Sequence, residues 1–394
     1  MKFMRKKRRL IPTLLVLGVL GSSFLNNAWS AEAEQISDGR KLALATQAKA
    51  VARELRDSRE LFDRIAGAGA LADVGDDEAL KYLANMIQHE EFVYQRAALD
   101  TLLSVRNAIG PDVLKRYVLD GNDRIFLRFV TESLASQPRD SMTDFLLDIL
   151  EYQDSAVKKF ALQSLAQLPS EKRTERVLQL ANDESQASFI RAYAWNALLG
   201  TVYQEQSIKK LFDLSFKGSS QAKEAAAVAL GRVDTPESKA VLLELSLSDN
   251  ERVAIAAMTS RAGLGHEESM IQMKNMITDG YGIQRAAAAG GLRRINPQIA
   301  ARITGEVLDC CDLEPYAAMR LIEAWANIDA DPSRVYAWGL GHRDEGVRMQ
   351  SIWLAGQRYD LNHLEQIASM LSDVDPGIRG IAAWAILRMT VEPS

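Results

Sequence analysis

Val157-Lys158-Lys159-Phe160-Ala161-Leu162-Gln163-Ser164-Leu165 decides the fold, because its pattern returns about every 31 residues almost to the end of the chain. The skeleton is an aliphatic residue, often a basic one next, a small residue four on, and Leu or Ala eight or nine on. Ile190, Arg191, Ala194 and Leu198 form the next copy. Ala222, Lys223, Ala226 and Leu230 form another, and Ile378, Arg379, Ala382 and Ile386 the last. Offsets of 0, +4 and +8 share one face of a 3.6-residue helix, so each copy reads as one amphipathic helix. The opening residues are Phe62, Val93, Ile125, Val157, Ile190, Ala222, Val253, Ile283, Ala317, Val347 and Ile378, at intervals of 30 to 34 residues. Ten consecutive intervals of that size define a repeat array.

At 394 residues the chain could hold two or three globular domains. An array removes that constraint, since it adds units without enlarging any one core. A hydrophobic fraction of 47% with only 7% aromatics suits Ala- and Leu-rich helix packing. No sustained run of alternating β-branched residues marks a strand. The expected fold is all-α, a right-handed α-solenoid of about eleven helix pairs over residues 31–394, opened by a capping helix at about 31–56. Stacked at about 8–10 Å per pair, it should extend to about 100 Å.

Residues 1–30 read as a secretory signal rather than structure. Lys2, Arg5, Lys6, Lys7, Arg8 and Arg9 make a basic start, and Leu10 to Leu20 is a short apolar run. Ala28-Trp29-Ser30 offers a cleavage site before Ala31, and Ala31-Glu32-Ala33 a second one. The apolar run is short for a span of ~20 residues. An uncleaved N-terminal anchor is the alternative to cleavage. A mature chain would be periplasmic or secreted and would hold no stable membrane span.

The whole chain carries 47 Lys+Arg against 52 Asp+Glu. Removing the six basic residues of the signal leaves 41 against 52, a net charge of −11, which opposes binding to nucleic-acid phosphates. The only cysteines, Cys310 and Cys311, are adjacent. They read as two small apolar residues near a helix end, with a vicinal redox pair as the alternative.

Short polar turns separate the two helices of each unit. Asp154, Asn250, Asp344 and Asp375 stand just ahead of an opening aliphatic, where they can cap the second helix. Proline is tolerated only in a first turn. Pro111, Pro138, Pro169, Pro236, Pro297 and Pro332 fall between units, and Pro315 and Pro376 in the turn within one.

With openings such as Asp344-Glu345-Gly346-Val347-Arg348 and Asp375-Pro376-Gly377-Ile378-Arg379, the chain resembles the HEAT-like repeats of the phycobilisome-lyase type over about residues 38–390. That family includes scaffolds, bilin lyases, a metal-dependent hydroxylase and DNA glycosylases, so the resemblance implies a fold and leaves the chemistry open. His89-Glu90 and His266-Glu267 resemble the iron-binding pairs of such hydroxylases. The resemblance places those pairs inside the second helix, where this chain has Gln95 and Arg285 instead. They therefore read as turn residues; His342 and His363 are the only other histidines in the chain.

Gly67-Ala68-Gly69-Ala70-Leu71-Ala72 imitates a dinucleotide fingerprint, but Phe62-Asp63-Arg64-Ile65 before it is in helical phase, so close helix packing explains the glycines. No catalytic constellation, cofactor or metal site emerges. Offsets +2 and +6 of the second helix should line the concave face. There Trp353 and Trp384 stand at +6, and Met319 and Met349 at +2. They are the candidate binding surface, for a protein or peptide partner. The expected function is an exported, non-catalytic scaffold in the cell envelope. The alternative is a solenoid enzyme, lyase-like or metal-dependent, with a pocket on the concave face.

Overall fold

The computed structural model describes residues 36–106, 124–136, 140–168 and 174–392. The signal at 1–30, the two cleavage sites and Pro111, Pro138, Pro169 and Pro393 lie outside the described residues. Those described form twenty-one α-helices and five short 3-10 turns, with no strand among them. The first helices of the units are α1 (Asp38–Arg56), α3 (Asp77–Met86), α6 (Thr143–Asp148), α8 (Thr174–Asn182) and α10 (Gln204–Lys217). They continue as α12 (Pro236–Ser246), α14 (Glu267–Asp279), α16 (Pro297–Cys310), α18 (Ser333–Gly339) and α20 (Leu364–Ser369). The second helices begin with α2 (Leu61–Ala72), α4 (Phe92–Ser104), α5 (Arg124–Ser136), α7 (Ser155–Leu165), α9 (Ser188–Ala197) and α11 (Ser220–Leu230). They end with α13 (Glu251–Gly263), α15 (Ile283–Gly291), α17 (Pro315–Trp325), α19 (Glu345–Gln357) and α21 (Pro376–Thr390).

The local chemistry that starts these helices is repeated. Asp154, Asn250, Asp344 and Asp375 are the N-caps of α7, α13, α19 and α21, each accepting the free N–H of the opening aliphatic at 3.1–3.3 Å. Such a cap contributes about 1 kcal/mol. Pro236, Pro297, Pro315 and Pro376 each sit in the first turn of a helix, where no N–H is missed. The basic residue after the opening aliphatic closes the preceding turn. Arg348 Nη1 donates to the carbonyls of His342 and Arg343, both at 3.0 Å, and Arg379 Nη1 to that of Asp373 at 2.9 Å.

The periodicity slips by one residue in three units. Val93 and Ile125 are 41% and 65% exposed, and Tyr94 and Phe126 begin the core phase instead. In the eighth unit Ala287 is exposed while Ala288 and Leu292 are buried, so the phase there starts at Gln284. Arg285 then takes the turn-closing role, its Nε donating to Gly280 O at 2.8 Å. Each slip has the same cause: two neighbouring apolar or small residues satisfy the spacing equally well in sequence.

An extended array about 100 Å long does not form; the solenoid closes on itself. Every second helix packs on the next, from α2 round to α21, and α21 in turn packs on both α1 and α2. First helices touch their neighbours only sparsely, as they must on the outside of a tight curve. Eleven helices at the usual ~9–10 Å spacing close a circle about 30 Å across between axes. The N-terminal helix α1 therefore packs on both α2 and the last helix, α21.

Small residues let the joint form. A Cβ on Gly380 of α21 would lie 2.9 Å from Ala66 Cβ of α2. Within the first unit, a Cβ on Gly67 would lie 2.5 Å from the Arg56 amide N, and one on Gly69 would strike Thr101 of the second unit. Close helix packing thus accounts for the glycines that imitate a nucleotide loop. At the surface of the joint Arg40 donates twice to Glu365, at 2.7 and 2.6 Å, although half-exposed pairs of this kind contribute little. The buried part of the joint matters more. Asp73, at the end of α2, lies 2.9 Å from Arg106 Nε and accepts from Arg388 Nη1 of α21 at 3.0 Å. Arg388 also donates to Ser104 O at 3.0 Å, and Arg106 to Arg388 O at 3.2 Å. Residues 315 positions apart in sequence are held in one buried network.

Candidate interior binding site

Closure redirects the concave face. Trp353 and Trp384 are 2% and 4% exposed, so they form no open apolar strip. Trp384 lies over Gly356 of α19, where an added Cβ would sit 2.6 Å from its ring. Arg388 stacks on Trp384, 5.1 Å from the ring, and on Tyr359, 5.6 Å away. Trp384 is thus a platform for the arginine that closes the ring. Met319 and Met349 are packing elements too. Met319 Sδ would lie 3.1 Å from a Cβ on Gly346, and Met349 Sδ 3.3 Å from one on Gly377. The glycine of each Asp-x-Gly opening leaves the space into which the methionine of the preceding unit fits. The expected docking strip is therefore corrected: Trp353 is buried, and Trp384, Met319 and Met349 pack between neighbouring units.

All four histidines are engaged at turns. His89 Nδ1 accepts the N–H of Glu91, and His342 Nδ1 that of Asp344, both at 3.0 Å. Ser58, Ser248 and Asp373 fill the same slot in other units. His266 caps α14, with Nδ1 3.3 Å from Ser269 N, and His363 Nδ1 lies 2.9 Å from Asp360. No group of three or more His, Cys, Asp or Glu able to hold a metal ion occurs among the described residues. Cys310 and Cys311 are bonded to each other as a disulfide, which replaces the reading of two apolar helix-end residues. The helix ends at Cys310 and Cys311 is extended, so the two sulfurs meet outside the helical turn.

What the interior does present is a charged recess drawn from five units. Gln163 comes from α7, Tyr193 from α9, Glu224 from α11, and Arg320 and Glu323 from α17. The 3-10 turn Leu292–Arg294 after α15 adds Arg293 and Arg294. Arg320 pairs with Glu323 and lies over Gly290, 3.2 Å from where a Cβ would be. Arg294 is close enough to Tyr193, Glu224 and Arg320 to respond to each, although three units separate it from Tyr193. Only a tightly curved interior brings them together.

Arg293 and Arg294 keep substantial accessible surface, yet desolvation is the largest influence on both. Burial, and then the adjacent Arg293, push the Arg294 guanidinium down to about 10, against the opposing pull of Tyr193 and Glu224. Burial raises the Tyr193 hydroxyl and Glu224 raises it further, so it remains a neutral donor, while Gln163 hydrogen-bonds to it. Burial likewise raises Glu323, opposed by Arg320 and Arg293. The side chains of Arg293 and Arg294 make no hydrogen bond or ion pair to any described residue.

No protein-family model matches the chain, and no curated protein matches it. Among solved structures, a crystal structure of an engineered protein aligns with 87% of this chain and 98% of its own, at 15% identity and a TM-score of 0.28. Human deoxyhypusine hydroxylase in complex with glycerol aligns with 65% of this chain and 98% of its own, at 16% identity and a TM-score of 0.28. Likenesses this faint carry nothing about the recess. The helices themselves define the class: an all-α solenoid of paired helical repeats.

Proposed function

We propose that the chain is an exported, non-catalytic scaffold of the phycobilisome-lyase-type HEAT class that binds a protein or peptide partner in the cell envelope. The observation that carries this reading is the closed ring. Its ends are tied by the buried Asp73–Arg106–Arg388 network, so the interior is preorganised before any ligand arrives. Preorganisation lowers the ordering cost of binding. The interior also presents Arg293 and Arg294, whose side chains make no hydrogen bond or ion pair to any described residue. Export rests on the basic start, the short apolar run and the Ala28-Trp29-Ser30 site. No described helix is long and apolar enough to cross a membrane.

Two measurements test the reading together. N-terminal sequencing of the native protein should give a mature chain beginning at Ala31 or Glu34, recovered from the envelope fraction. Crosslinking in that fraction should then retain a protein through the wild-type ring. An intact chain with Met1 in the cytosol would refute export, and turnover of a small substrate by the purified ring would refute the scaffold.

A further inference from the structure

We propose that Cys310 and Cys311 form a thiol–disulfide exchange site on the outer layer of the ring, and that the substrate it takes is a dithiol. The site lies apart from the interior and does not depend on the chain being a scaffold.

The cross-link joins adjacent residues. A disulfide stabilises a fold mainly by closing a long loop of the unfolded chain, and one between neighbours closes none. The ring is held instead by helix packing and the buried Asp73 network. The bond is also open to solvent, since Cys310 is exposed and Cys311 half-buried. An attacking sulfur can therefore reach it in the folded protein.

The bond stands where a helix would otherwise be capped. Helix α16 stops at Cys310, and Cys311 is extended, with φ −144° and ψ 139°. Successive side chains on an α-helix diverge by about 100°, so the sulfurs could not meet if both residues were helical. At the ends of α14 and α17 the next N–H, of Gly280 or Ala326, returns to a carbonyl of its helix. That of Cys311 returns to no backbone carbonyl among the described residues. The oxidised pair thus holds the end of α16 in a form its backbone does not itself secure. The carboxylates on either side are compensated: Asp309 pairs with Arg334, and Asp312 with Arg343 at 2.7 Å. They therefore repel an incoming thiolate less than bare carboxylates would.

Exposure selects Cys310 Sγ as the sulfur attacked. The incoming thiolate bonds to it, the Cys310–Cys311 bond breaks, and the electron pair leaves on Cys311, which takes a proton from water. The resulting mixed disulfide has two fates. Cys311, one residue away, can attack Cys310 again and expel the newcomer, an intramolecular step that is fast for that reason. A monothiol loses to this return, because its second equivalent must arrive by diffusion. A dithiol competes, because its own second thiolate attacks its first sulfur and expels Cys310, which is then protonated. The pair gains two electrons and two protons, and the dithiol becomes a disulfide.

Alkylation after acid quenching, read by intact mass, follows the pair in the folded mature chain. Dithiothreitol should reduce it at least tenfold faster than glutathione at equal thiol concentration, with no glutathione adduct accumulating. Reduction should leave the melting temperature within about 2 °C of its oxidised value, since no loop is opened. Cys311→Ser removes the returning sulfur, so with glutathione disulfide it should accumulate a stable adduct on Cys310. Cys310→Ser should form its adduct at least threefold more slowly. Resistance to dithiothreitol until the chain unfolds, or a fall of about 10 °C on reduction, would overturn the proposal by making the bond structural. Glutathione as fast as dithiothreitol, or Cys310→Ser as fast as Cys311→Ser, would equally overturn it.

Discussion

Replacing Asp73 with alanine should destabilise the protein by about 3–5 kcal/mol, the usual cost of stranding buried charges. Asp73 is the single acceptor shared by two buried cations: Arg106 Nε at 2.9 Å and Arg388 Nη1 at 3.0 Å. Its loss leaves both guanidiniums facing one another at the joint between the first two units and the last. Arg388→Met should cost less, because Asp73 keeps Arg106 and Met retains contact with Trp384. The double variant should recover part of the Asp73→Ala loss, since only one unpaired cation remains. Urea unfolding of the two single variants and the pair forms the cycle. Simple additivity of the two changes, or a loss below about 1 kcal/mol for Asp73→Ala, would show that this network does not hold the ends.

A second large effect should appear with pH. Asp100 of α4 is buried, and burial pushes its carboxyl up to about 7, against the opposing influence of Arg96 at 3.9 Å and the Ser133 hydroxyl at 3.2 Å. A carboxyl with a raised native pKa binds its proton more tightly in the folded state. Stability from this group is therefore fully present below about pH 4 and is lost as pH rises to about 7, by up to about 4 kcal/mol. Asp100→Asn keeps the shape and an acceptor for Ser133 but cannot ionise. The variant should gain on the wild type between pH 4 and pH 8 in parallel urea unfolding, and a difference constant with pH would contradict this account of Asp100.

The array was legible because its signal repeats: eleven copies of a 0, +4, +8 pattern leave little room for another fold. The N-cap residues and prolines were legible for the same reason, since each satisfies a local rule. Closure was not. It depends on Gly380 meeting Ala66 and on Asp73 meeting Arg388, pairs whose 300-residue separations no local pattern encodes. An open array and a ring differ only in a small change of angle per unit. Trp353 and Trp384 were misread for a different reason: offset +6 does not distinguish an open groove from a contact between adjacent units, and Trp384 packs over Gly356 of the preceding unit.

The interior arginines were partly within reach. Arg232, Arg294 and Arg388 all stand ten residues beyond the start of the core phase, once the eighth unit is read from Gln284. A reading confined to offsets +2 and +6 passes over that column. The one-residue slip at Ile283 hid it further by placing Arg294 at +11. The roles of Met319 and Met349 also had a trace in sequence, because Gly346 and Gly377 follow them by 27 and 28 residues, one unit on.

Small-angle scattering from the mature chain tests ring closure most directly. A closed ring of two helix layers around an axis circle of about 30 Å should have a maximum dimension of about 60–70 Å. Its distance distribution should be broad and nearly symmetric. A maximum dimension of about 100 Å or more, with the long tail of an extended rod, would contradict the account.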